Sequence, residues 1–354
     1  MRLRRVDVNG TGLSRRRRGR GFSYHHPDGS VVTDPATLDR IRALAIPPAW
    51  RDVWICPLAT GHLQAVGTDD AGRRQYRYHD HWRIARDNEK HDRVLRLAQR
   101  LPGLRQTVAE QLDERGLGRE RVLAVALRML DIGGFRTGSA QYAPDADSYD
   151  KDGDDKDGTF GLATLRRDHV SVRRGTIHVS YTGKGGVEQS MALRDELLSR
   201  AVGSLLRRRD DSPELFAWRS PEGWRLMRAE DVNLRIKELA GDEFTAKDLR
   251  TWNATVLAAV ALAARADAGK SRTGRRKAVV AAVREVAELL GNTPAVARKS
   301  YIDPRVIECY ERGTTIERAL RRVGDGGLAE VELADESARL AIERSVVRML
   351  RGLT

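Results

Sequence analysis

Cysteine is scarce in this chain: Cys56 and Cys309 stand far apart among 354 residues, in no C-x-x-C pair. Neither a disulfide framework nor a cysteine zinc site is indicated, and both thiols are expected to be buried and reduced. No run of 18 apolar residues occurs, and the arginine-rich start has no apolar stretch behind it. A membrane-spanning helix and a secretory signal are therefore not expected, and a cytoplasmic location is. The phosphate loop Gly-x-x-x-x-Gly-Lys-[Ser/Thr] is also missing, so nothing calls for a nucleotide.

What is abundant is positive charge. Lys and Arg number 63 against 50 Asp and Glu, a formal net charge of +13, which favours a polyanionic partner, nucleic acid first. Composition alone is also met, less readily, by a soluble protein whose arginine bias reflects a GC-rich coding sequence. The length suits two domains, each with its own core.

The first twenty residues carry eight arginines and one aspartate, with Arg15, Arg16, Arg17 and Arg18 in a run followed by Arg20. A basic arm over 1–22 is expected, solvated or laid on phosphates. From Tyr24 to about Arg86 short apolar-polar stretches alternate with turns at Asp28-Gly29 and Asp70-Ala71-Gly72, which reads as a small β-rich domain over 23–88. Helical spacing follows, as in Val122, Val125, Ala126 and Met129, and opens a mainly helical domain over 89–325. Within it His169 to Arg173, Thr176 to Tyr181 and Val187 to Ala192 are β-prone, separated by Arg174-Gly175 and Gly183-Lys184-Gly185-Gly186. They predict a three-stranded antiparallel meander. Thr245-x-x-Asp248 is a capping box opening a long apolar helix. Residues 145–158 hold seven aspartates and two lysines; they lack the closing Glu of a calcium loop and read as a disordered acidic insertion. Residues 326–354 read as a helical tail.

A helix over about 277–290 stops at Gly291, and a new one opens with Thr293 as N-cap and Pro294 as its first residue. Asn292 is left in the junction, and Tyr301 follows on the new helix. An isolated tyrosine of this kind is usually a core residue with its hydroxyl tied off. Its company changes that reading. Gly134-Phe135-Arg136-Thr137-Gly138, Thr182-Gly183-Lys184-Gly185-Gly186, Lys247-Asp248-Leu249-Arg250-Thr251 and Leu290-Gly291-Asn292-Thr293-Pro294 with Tyr301 occur in one order. Together they resemble the active site of the poxvirus-like and bacterial type IB DNA topoisomerases. Gly72-Arg73-Arg74-Gln75-Tyr76-Arg77-Tyr78 resembles the segment by which that family's small domain contacts DNA. The resemblance spans roughly Arg15 to Pro304.

It implies an α+β, bilobed clamp: a small β-rich lobe and a larger helical lobe of the tyrosine recombinase and type IB topoisomerase kind. Duplex DNA, preferentially supercoiled, is the implied partner of a monomer. Tyr301 is the implied nucleophile. Arg136 and Arg250 suit the charge that a five-coordinate phosphorus spreads over its non-bridging oxygens. Lys184, on a hairpin tip, is the implied general acid for the departing 5′-oxygen. Asn292 stands where many members have histidine; it donates a hydrogen bond but cannot titrate. Gln75, Tyr76 and Tyr78 join the five arginines as implied DNA contacts. Neither a metal nor another cofactor is expected, because the cations take over charge compensation.

Taken singly, Arg136 reads equally as a helix C-terminal cation, Lys184 as a turn residue and Arg250 as a partner of Asp248. Tyr310 is the rival nucleophile, outside the resemblance, and is expected to be structural. Two other functions compete. A tyrosine recombinase shares the nucleophile and the arginine pair, but its His-x-x-Arg is here Lys247-Asp248-Leu249-Arg250. A non-enzymatic DNA clamp would need the basic arm and not Tyr301.

Overall fold

The computed structural model describes residues 1–138, 159–266, 271–323 and 336–352; the acidic segment 145–158 and residues 326–335 of the expected tail lie outside them. The chain divides into two compact units, Met1–Lys90 and His91–Thr354.

Unit 1 is an antiparallel sheet of β1 (Leu13–Arg18), β2 (Gly21–His25), β3 (Arg51–Ile55), β4 (Leu63–Thr68) and β5 (Arg74–Tyr78), in the order β2-β1-β3-β4-β5. Helix α1 (Pro35–Ala43) starts at Asp34, whose carboxylate accepts the Thr37 N–H, with Pro35 in the first turn. Leu13, Val32, Ile41, Val53, Ile55 and Ala65 form the core. The expectation of a separate basic arm is corrected here. Arg15 to Arg18 are a strand, paired with β2 from Ser14↔His25 to Arg18↔Gly21 and with β3 through Leu13↔Ile55. The reason is packing helped by a turn: Leu13 is buried in the core of this unit, and the turn at Gly19, in the left-handed region at φ +57°, returns the chain as an apolar-aromatic strand.

Helix α2 (Asp80–Asp113) carries the chain from unit 1 into unit 2. The charged stretch Arg83 to Arg93 is thus helical throughout, so the helix begins inside the span expected of the β-rich domain, 23–88. Exposed i,i+3 pairs such as Arg86–Glu89 at 2.8 Å suit it to a solvated helix surface.

In unit 2, α3 (Arg119–Gly133) and α6 (Ala246–Ala263) are buried on nearly every side, as central helices are. Against α3 pack α4 (Glu196–Leu206) and α5 (Ala229–Ala240); against α6 pack α7 (Arg272–Leu289), α9 (Pro304–Glu311) and α10 (Glu317–Val323). Between α7 and α9 lies the short α8 (Pro294–Ser300). The expected meander is present as β6 (Val170–Arg173), β7 (Thr176–Gly183) and β8 (Val187–Arg194), antiparallel in that order. Alternation buries Ile177, Val179 and Tyr181 of β7. A hairpin of β9 (Ala217–Ser220) and β10 (Gly223–Leu226) was not anticipated. The final helix, α11 (Glu336–Arg351), is no appendage: Ile342, Val346 and Leu350, at i, i+4 and i+8, are buried in the main core. At about 1.5–3 kcal/mol for each buried side chain, its docking outweighs any helical propensity.

Candidate active site

The site is assembled from chain segments that end helices. α3 stops at Gly134, in the left-handed conformation at φ 62°, a geometry glycine adopts without strain. Phe135 is then buried and Arg136 is half-buried. α7 stops likewise, with Gly291 at φ +56°. A side chain at Gly291 would meet only the movable amide end of Gln189 of β8, at 2.2 Å, so it is the left-handed backbone that asks for glycine. The stretch 136–138 is pinned from the other side. Leu162 and Ala163 donate to the carbonyls of Arg136 and Thr137 at 2.8 and 2.7 Å, and a Cβ on Gly161 would fall 2.4 Å from the Gly138 Cα.

Arg250 lies on the first turns of α6. Asp248 opens that helix by accepting the Thr245 N–H at 3.0 Å and hydroxyl at 2.8 Å, and Arg93 of α2 donates to the same carboxylate at 2.7 Å. Asp248 therefore pairs with Arg93, not with Arg250. The Arg250 guanidinium donates instead to the carbonyls of Gly134 and Leu290, the C-terminal ends of α3 and α7, where orphan carbonyls and the negative helix pole hold a cation. It lies 5.2 Å from the centre of the Tyr301 ring. Burial draws this guanidinium down to about 10, the Tyr301 phenol partly restores it, and the neighbouring Arg136 presses in the same direction as burial. It stays cationic at neutral pH.

Arg136 donates to the Asn292 side-chain oxygen and, at 3.3 Å, to the Gly291 carbonyl. That uses the acceptor of the Asn292 amide. Its Nδ2 is buried and has no partner among the described residues. Thr293 caps α8, its hydroxyl accepting the Val296 N–H at 3.4 Å, with Pro294 first in the helix, as expected. Tyr301 is the C-cap of α8 and half-buried. Arg136, Arg250, Asn292 and Tyr301, drawn from separate stretches of the chain, thus meet at one place. Lys184 is exposed at the β7–β8 tip and lines, with Arg136, Gly291 and Asn292, an open groove of about 1640 Å³. Tyr301 and Arg250 lie outside that groove lining.

Tyr310 is buried and donates its hydroxyl to the Arg265 carbonyl at 2.9 Å; burial raises its pKa. Sequence reasoning missed Thr255, whose hydroxyl accepts the Asp303 N–H and sits 3.4 Å from the Tyr301 carbonyl. It missed Tyr181 too, stacked on Phe135 at 6.2 Å. Burial pushes the Tyr181 phenol up to about 12 against the pull of Arg250 and Arg136, which keeps it protonated. Neither residue belongs to a recognisable motif, so no sequence signal was available for them.

In unit 1 the expected DNA contacts separate. Tyr76 and Tyr78, each 45% exposed, stack at 6.1 Å on one face of β5. Gln75 is on the other face, where its amide donates to Asp69 at 2.9 Å, as the two-residue period of a strand dictates. Arg15 is likewise engaged: it donates to the carbonyls of Pro47 and Trp50 at 3.1 and 2.6 Å and lies 4.1 Å from the Phe22 ring centre. Arg16, Arg17, Arg18 and Arg20 are all exposed and make no ion pair among the described residues. A cavity of about 560 Å³ next to Tyr78 is lined by Arg5, His62, Trp82, Arg83 and Arg86, an arginine and aromatic cluster that no sequence pattern announced.

The model of the eukaryotic DNA topoisomerase I catalytic core matches residues 79–323. The chain belongs to the type IB DNA topoisomerase family. The model of the bacterial DNA topoisomerase IB N-terminal domain matches residues 21–69. Among relatives, mimivirus DNA topoisomerase 1B is 29% identical over 307 residues, 85% of this chain and 88% of the relative. The monkeypox virus DNA topoisomerase I is 23% identical over 82% of this chain and 87% of its own length. The vaccinia virus enzyme is 22% identical over the same shares. Among solved structures, the XerH site-specific recombinase bound to its difH substrate aligns with a TM-score of 0.34 and 15% identity over 58% of this chain and 50% of that one, too slight a likeness to carry an argument. The enzyme is accordingly an isomerase acting on DNA. Among the described residues no helix is long and apolar enough to cross a membrane.

Proposed function

We propose that this enzyme relaxes supercoiled duplex DNA without ATP or metal, through a 3′-phosphotyrosyl intermediate on Tyr301. The supporting observation is the convergence of Tyr301, Arg250, Arg136 and Asn292, with Arg250 5.2 Å from the tyrosine ring centre and Arg136 bonded to Asn292. The Tyr301 oxygen attacks phosphorus and its proton passes to water. The phosphorus to O5′ bond breaks, and Lys184 from the exposed hairpin tip gives a proton to the leaving oxygen. Arg136, Arg250 and the free amide donor of Asn292 stabilise the charge on the non-bridging oxygens. The free strand end swivels about the intact strand, and attack by the 5′-hydroxyl reverses the step. Supercoils of either sign are dissipated, since swivelling only releases torsion.

In this reading the enzyme acts as a monomer closed as a clamp on DNA, preferring supercoiled duplex, in a cytoplasm where the nucleoid is its substrate. Tyr76, Tyr78 and the outward arginines of β1 and its turn supply binding from unit 1. The decisive experiment is incubation with supercoiled plasmid in chelator without ATP. Relaxation with a covalent tyrosyl adduct, both abolished in Tyr301→Phe while DNA binding persists and Tyr310→Phe stays active, is expected. A strict need for ATP or magnesium would sink the reading.

A further inference from the structure

A nucleophile at the end of a seven-residue helix has little intrinsic rigidity, yet misplacement by about 1 Å costs on the order of 10²-fold in rate. The backbone after Tyr301 is held by more than helix ends require. Asp303 is the N-cap of α9 and accepts the Arg305 N–H at 2.9 Å, which is all that capping needs. It is also 2% exposed and receives the Arg305 guanidinium at 3.1 Å from Nε and 2.8 Å from Nη2. The remaining arm of Arg305 donates to Asp92 of α2 at 2.9 Å, and His91 of α2 lies 3.8 Å from the Asp303 carboxylate. The Asp303 amide donates to Thr255 at 3.2 Å, and Thr255 is one turn along α6 from Thr251, beside Arg250, bonding its carbonyl at 2.8 Å.

Two ties therefore converge on the three residues 301–303: a buried one from the helix that carries Arg250, and one from the helix that brings the chain in from unit 1, buried at Asp303 and exposed at Asp92. A buried ion pair is a poor stabiliser, because desolvation cancels most of its attraction, so fixing a geometry is the better account of it. We propose that Asp303 and Arg305 are positioning residues for Tyr301, tying the nucleophile's backbone to α2 through Asp92. The proposal rests on Tyr301 being the nucleophile.

The test compares single-turnover adduct formation with equilibrium binding of the same duplex by the full chain. Asp303→Asn and Arg305→Gln are expected to slow adduct formation on the order of 10²-fold with the dissociation constant unchanged. Arg305→Lys should recover part of the rate, since an ammonium keeps the charge but not the forked geometry. Asp92→Asn, at a largely exposed carboxylate that folding tolerates, should slow it in the same direction by less. A substrate with a 5′-bridging sulfur should rescue none of them, because the leaving group is not their defect. Adduct formation at the wild-type rate in Asp303→Asn and Asp92→Asn would overturn the proposal. So would binding and cleavage that fall in step with the melting temperature, which would mark a merely structural pair. A wild-type chain that forms no adduct would overturn both this and the reading of Tyr301.

Discussion

At the scale of single residues, the roles proposed for the two arginines and the lysine separate by what each touches. Arg250 is held by two helix-end carbonyls and Arg136 by Asn292 and Gly291, so both are preorganised cations. Lys184 stands exposed on a glycine-rich tip, free to follow a leaving group. Lys184→Ala is expected to slow cleavage about 10²- to 10⁴-fold on a normal phosphodiester, the usual size of general acid help, and to recover on a 5′-bridging sulfur. Arg136→Ala and Arg250→Ala should stay slow on both substrates, because their hydrogen bonds to the oxyanion are missing. Single-turnover rates on the paired substrates decide it, and equal recovery of all three would remove the acid role from Lys184. Gly161 makes a second prediction. Its Cβ would press on the Gly138 backbone at 2.4 Å, and backbone atoms cannot step aside. Gly161→Ala should therefore displace the loop carrying Arg136, reducing cleavage more than DNA affinity. Unchanged cleavage would mean the loop tolerates the shift.

At the scale of elements, the last helix is tied to the site's scaffold by charge as well as by packing. Arg339 of α11 donates to both oxygens of Asp131 at 3.0 and 2.8 Å and to its carbonyl at 2.9 Å, and Arg105 of α2 grips the same carboxylate at 2.8 Å. Asp131 is in the last turn of α3, just ahead of Gly134 and Arg136. Burial pushes its carboxyl upward, but Arg105, Arg339 and Arg128 prevail and hold it far below the carboxylate range. A depressed folded pKa means the stabilisation is fully present above the unfolded value of about 3.9 and is removed as pH falls toward the folded one. Arg339→Ala is expected to cost up to about 3 kcal/mol at neutral pH, as for a broken buried pair. The gap from wild type should narrow below about pH 4, where protonation begins to cost the wild type its share as well. Urea midpoints of both proteins at neutral and acid pH measure this; a gap independent of pH would assign the loss to packing.

At the scale of the whole molecule, the excess of positive charge should appear as a salt-dependent affinity. The arginines of β1 do not act as one block, however. Arg15 commits its guanidinium to three backbone carbonyls, those of Ile46, Pro47 and Trp50, whereas Arg16, Arg17, Arg18 and Arg20 have no such ties among the described residues. Replacing those four with alanine should flatten the plot of log affinity against log salt by about 0.9 for each phosphate no longer neutralised. Arg15→Ala should leave that slope alone and lower the stability of unit 1. An unaltered slope in the fourfold variant would show that these arginines are only solvated. Removing residues 1–20 outright is the wrong experiment, because it takes away a strand of the sheet.

The sequence by itself determined the elements whose signals are local. The meander follows from period-two alternation and glycine turns, and the α7–α8 junction from Gly291, Thr293 and Pro294. The order of motifs around Arg136, Lys184, Arg250, Asn292 and Tyr301 pointed to one family because each was a short contiguous string. Only the tertiary structure decided what depends on partners distant in the chain. It turned the arginine run into a strand by burying Leu13 in the core of unit 1. It drew α11 into the core through Ile342, Val346 and Leu350. It gave Arg250 its carbonyl partners at the ends of two other helices, and Tyr301 its ties to Thr255, Asp303 and α2. A side chain's local pattern says which element it joins; which buried groups it meets is fixed only when those elements pack.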